Sequence, residues 1–90
     1  VSWRLSSHVL IAPVVDEAVL LDTATNDRYI LNEMALNICT LLQEGYDGPQ
    51  IVEELKQLYP DKSTEIPVDV EQFMTLLQTE KLIEWQEQRA

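Results

Sequence analysis

EAVLLDTATNDRYILN, residues 17–32, holds two short apolar runs separated by a polar turn and closes on a helix-capping residue. The first run, residues 17–22, is bounded after Asp22 by Thr23-Ala24-Thr25-Asn26-Asp27, and the Asn-Asp pair tolerates turn conformations. The second run, Arg28-Tyr29-Ile30-Leu31, reads as a strand whose alternation puts Tyr29 and Leu31 on one face and Arg28 and Ile30 on the other. Upstream, residues 8–12 are β-rich and are expected to stop at Pro13, which cannot donate a ladder hydrogen bond. Connections this short make the three strands antiparallel neighbours in the order 1-2-3, so that the third strand is an edge.

After Asn32 the hydrophobic period becomes helical. Asn32 caps a first helix, Glu33 sits in its first turn, and Ala35, Ile38, Cys39 and Leu42 form its stripe up to a stop at Gly45. Asp47, Pro49 and Gln50 predict a second helix opened by a capping box, with Ile51, Leu55 and Leu58 inward, Val52 and Tyr59 widening the stripe, and Pro60 ending it. Residues 61–66 read as a polar loop. A third helix is expected over 67–81 with Val70, Phe73, Met74 and Leu77 on one face, after which Leu82, Ile83 and Trp85 pack on and the last few residues fray. The expected architecture is α+β and winged-helix-like, a three-stranded antiparallel sheet followed by three helices (β-β-β-α-α-α) that cover its apolar face.

Composition narrows the function. Ninety residues make one domain at most, 1–90, with a core over about 5–85, and leave no room for a deep enclosed active site. The longest apolar run, Val9 to Val15, is interrupted by Pro13 and far too short to span a membrane. No signal-peptide pattern precedes it, so the chain reads as cytoplasmic. Cys39 is the single cysteine and reads as a small buried hydrophobe, and His8 is likewise alone. With only Gly45 and Gly48 there is no phosphate-binding loop, and no nucleophile–base set assembles, so neither catalysis, cofactor nor metal is expected. Sixteen acidic residues against six basic ones give a formal net charge of −10, which repels a phosphate backbone. Such a charge either favours a partner carrying Lys and Arg or simply keeps a small protein soluble.

The ordered motifs resemble those of the PqqD-like family, the RiPP recognition elements. They begin with D-x-x-T-x-x-x-Y-x-L-N (Asp22, Thr25, Tyr29, Leu31, Asn32) and continue with L-L-x-x-G ending at Gly45 and I-V-E-E-L over 51–55. D-V-x-x-F-x-x-x-L (Asp69, Val70, Phe73, Leu77) and the Leu82-Ile83 pair complete the set. Each alone is ordinary core spacing; the set at these separations, from about Leu5 to Trp85, is telling. Relatives often carry Gly before the final Leu-Ile pair where this chain has Lys81, so the exit from the third helix is expected to differ locally.

The resemblance implies a non-catalytic domain that binds the leader segment of a ribosomally made precursor peptide, which adds a strand beside the third strand and packs against the third helix. An open edge strand is a template for such pairing. The peptide-binding residues implied are Asp27, Arg28, Tyr29, Ile30 and Leu31 along the strand and Val70, Phe73, Met74, Leu77 and Gln78 on the helix, with Met74 favoured as a contact at the margin of its stripe. A chain consisting of this domain alone fits lasso-peptide pathways, where the partner is a leader protease or other maturation enzyme. Within the family the alternative is the peptide chaperone of pyrroloquinoline quinone synthesis. From other classes come a winged-helix DNA-binding regulator, which the acidic third helix disfavours, and an acidic carrier protein, which lacks its Asp-Ser-Leu setting.

Overall fold

The computed structural model describes residues 2–14 and 17–86. Its elements run β1 (Ser2–Leu5), β2 (Val9–Val14), β3 (Glu17–Asp22), β4 (Arg28–Leu31), α1 (Glu33–Gln43), α2 (Gly48–Leu58), α3 (Ile66–Thr79) and β5 (Ile83–Gln86). β2, β3 and β4 form the expected antiparallel sheet in sequence order. Ala18, Leu20 and Leu31 are buried on its inner face, and the three helices supply Ile38, Cys39, Leu42, Ile51, Leu55, Ile66 and Leu77 to the same core.

Local chemistry explains most boundaries. The Asn32 side chain accepts the Ala35 N–H at 2.8 Å and caps α1. Asp47 accepts the Gln50 N–H at 2.9 Å while the Gln50 side chain accepts the Asp47 N–H at 3.0 Å, so the predicted capping box opens α2. α1 ends with Gly45 at φ 92°, the Tyr46 N–H reaching back to the Leu41 carbonyl and the Gly45 N–H to that of Leu42. α3 ends in the same way: the Leu82 N–H bonds the Leu77 carbonyl and the Lys81 N–H that of Gln78, with Lys81 at φ 58°. Lys81 therefore adopts the left-handed conformation that favours Gly, and α3 closes as α1 does.

Several expectations need correction. β1 and β5 were not foreseen; they form a separate antiparallel pair in which Trp3 lies opposite Trp85, their ring centroids 4.8 Å apart and edge to face. Pro13 does not end its strand but pairs with Ala18 inside β2. Residues 61–66 are not one loop, since a 3-10 turn covers Pro60–Lys62 and the fully buried Ile66 opens α3. α3 stops at Thr79 rather than 81. Leu58 points to solvent instead of into the α2 stripe. Met74 is 7% exposed and belongs to the core, because the β1–β5 pair lies along that side of the molecule. Fraying of the last few residues, 87–90, lies outside the described residues.

Candidate functional site

The two edges of the sheet differ in what they offer a further strand. In an antiparallel ladder, residue pairs alternate between hydrogen-bonded and non-bonded, and the latter point their backbone groups outward. The Asp22 N–H donates to the Asp27 carbonyl at 2.9 Å, so pairs in this register alternate from there. Tyr29 and Leu31 thus face β3, and Arg28 and Ile30 present N–H and C=O to the open edge of β4. On the other side the Thr23 N–H donates to the His8 carbonyl, which makes Val9, Ile11 and Pro13 the outward residues of β2. There the Val9 N–H is taken by the Ser6 carbonyl at 3.0 Å, and Pro13 has none. One edge is blunted and the other is open.

β4 is set in place by the turn before it. The Asp22 carboxylate, almost fully buried, accepts the N–H groups of Ala24 (2.9 Å) and Thr25 (3.3 Å), and the His8 imidazole lies 3.7 Å away. Burial alone would raise the pKa of this carboxyl, but the two backbone donors, the Thr25 hydroxyl and His8 outweigh it and hold it below its ordinary value. Asn26 completes the turn at φ 70°, a conformation Asn tolerates better than most residues. Farther along, partial burial, together with the nearby carboxylates of Glu80 at the end of α3, Asp27 and Asp22, pushes the Tyr29 phenol up.

Beside the end of β4 lies an open cavity of about 840 Å³ walled by Ile30, Leu31, Ala35, Leu36 and Phe73, with Glu17 and Glu33 also lining it. Ile30 is 73% exposed, the most exposed of the large hydrophobic residues described. Phe73 comes from α3, and Leu76, one turn farther along the same flank, is 45% exposed.

The structure divides the expected site residues. Asp27, Arg28, Tyr29, Ile30 and Leu31 lie together along the open edge, and Phe73 joins Ile30 and Leu31 at the cavity. Val70, Met74 and Gln78 line a second cavity on the opposite flank of α3, and Leu77 is fully buried between the two. Ala35 and Leu36 also line the cavity beside β4 and were not among the expected residues, since a helix-start pair reads as core.

Cys39 is fully buried, and burial pushes its thiol up to about 12, so it stays an inert part of the core. Among the described residues no group of three or more His, Cys, Asp or Glu is placed to hold a metal ion. No helix among them is long and apolar enough to cross a membrane.

The family model of Coenzyme PQQ synthesis protein D (PqqD) matches residues 17–83. A solved structure of TbiB1 in complex with the TbiA(beta) leader peptide superposes with a TM-score of 0.81 at 27% identity, covering 94% of this chain and 99% of the other. A lasso peptide synthetase B1 complexed with the leader peptide shares the fold, with a TM-score of 0.82 at 22% identity over 94% and 100% of the two chains. No curated protein sequence matches the chain.

Proposed function

The chain belongs to the PqqD family, and from that premise we propose that it binds the leader segment of a ribosomally synthesised precursor peptide in lasso-peptide biosynthesis. It then presents the bound precursor to a separate leader-cleaving or modifying enzyme, itself contributing no catalytic group, and acts in the cytoplasm where the precursor is made. The observation that carries this reading is the likeness to TbiB1, which is matched over 99% of its length and was solved with a leader peptide bound.

The open edge supports a mode of binding. The leader runs beside β4 as an added strand and pairs with the outward N–H and C=O groups of Arg28 and Ile30, while Asp27 and Tyr29 flank the entry. Backbone pairing supplies register and the side-chain pocket supplies choice. An apolar leader side chain enters the cavity formed by Ile30, Leu31 and Phe73. Val70, Met74, Leu77 and Gln78 hold α3 from behind and do not touch the leader.

Calorimetric titration with the precursor, its isolated leader and its leaderless core tests the proposal. The first two bind with similar affinity and the core does not; failure of every lasso-type leader to bind overturns it. The family model's description supports a second reading, a peptide chaperone in PQQ synthesis. Binding of a PQQ-type precursor in preference to lasso-type ones would decide for that reading.

A further inference from the structure

α3 has a second flank, away from the open edge of β4. There, between α2, α3 and the β1–β5 pair, lies a cavity of about 500 Å³, a volume usual for side-chain and small-ligand sites. Met74 forms part of its apolar floor, Trp3 and Trp85 stand on one side, and Asp47, Glu71 and Gln78 supply the polar groups. The two indoles meet edge to face at 69°, an arrangement that leaves both faces of the ring pointing its edge uncovered by its partner. Trp85 is 54% exposed, so its indole is accessible to a partner from solvent.

The chemistry of this cavity selects its occupant. Indole faces attract cations, and a guanidinium stacks on them more readily than an ammonium. Two carboxylates line the cavity and no Lys or Arg does. One Asp47 oxygen already accepts the Gln50 N–H, so Glu71 is the group able to take the fork of a guanidinium in full. The net charge of −10 steers cationic partners toward the surface in general.

We propose that the cavity between Trp3, Trp85 and Glu71 is a docking site for an arginine side chain presented by a protein partner other than the leader. The guanidinium stacks on an indole face, its N–H groups bond Glu71, and Gln78 accepts from or donates to the neighbouring backbone of the partner. The site is independent of β4: Met74 and Phe73 are consecutive residues, yet they line cavities on opposite flanks of the same helix.

Intrinsic fluorescence isolates this site, because the chain contains two tryptophans and both line this cavity, with none at the β4 groove. The full chain is titrated with acetyl-Gly-Arg-Gly-amide and with its lysine and citrulline counterparts. The arginine peptide gives a saturable emission change that weakens as salt is raised. The citrulline peptide, neutral and nearly isosteric, binds at least tenfold more weakly, and the lysine peptide falls between them. Glu71→Gln weakens the arginine peptide about tenfold, the loss of roughly one charged hydrogen bond, while Asp61→Asn leaves it unchanged. Equal binding of citrulline or lysine, an unaffected Glu71→Gln variant, or no saturable response each overturns the assignment. None of these outcomes bears on leader binding, which is measured separately.

Discussion

Lys81 and Gly45 occupy equivalent places at two helix ends, and each sits in the left-handed region. The hydrogen-bond pattern is the same at both, so the difference between them is the side chain. A Cβ at Gly45 would meet nothing within 4 Å, which makes Gly45→Ala a purely conformational change costing about 1 kcal/mol. Lys81→Gly relieves the corresponding strain, partly offset by a freer unfolded chain, and raises stability by up to about 1 kcal/mol. Urea unfolding of the two variants, with unchanged slopes, checks both signs. Ile30 gives a sharper functional test than any core residue. Its N–H points away from β3, so Ile30→Pro removes an outward donor without breaking the sheet's own ladder. We expect a folded variant, judged by its melting curve, that binds leader about tenfold more weakly or worse. Such orientations were beyond the sequence: alternation told which side chains share a face, but only the Asp22–Asp27 bond fixed which backbone groups turn outward.

Among the elements, those announced by local chemistry were legible. The strands at residues 17–22 and 28–31 and the capped starts of α1 and α2 follow from period, turn residues and caps within a few positions of each other. β1 and β5 were not, because Ser2–Leu5 and Ile83–Gln86 are four-residue segments that make sense only when paired across almost the whole chain. That omission also misplaced Met74, whose burial depends on the far side of α3 being occupied. The resemblance motif turns out to be chiefly architectural: Asp22 and Thr25 build the turn, Leu31 the core and Asn32 the cap, while Ile30, at the open edge, lies outside it. The turn carries its own pH dependence. Asp22 has a folded-state pKa below its ordinary value of 3.8, so its stabilising effect is present above about pH 4 and is lost as pH falls below that. Melting temperature against pH should fall at the acid end in the wild type and more shallowly in Asp22→Asn, which starts from a lower stability at neutral pH.

The whole molecule is acidic, and α3, which a winged-helix regulator would insert into DNA, carries Asp69 and Glu71, with Glu80 as its C-cap, and no basic residue. Duplex DNA should therefore produce no anisotropy change at physiological salt, where even modest affinity requires several Lys or Arg contacts to phosphate. A sequence-dependent micromolar shift would return the regulator to consideration. The unequal edges of the sheet bear on a different problem, that of keeping a sticky strand in a concentrated cell. A sheet with two open edges can grow without limit, each added copy exposing a fresh one. This sheet is, in the language of polymer chemistry, monofunctional: with the β2 edge blunted at Val9 and Pro13, two copies that met through β4 would consume their single reactive ends and terminate the chain at a dimer.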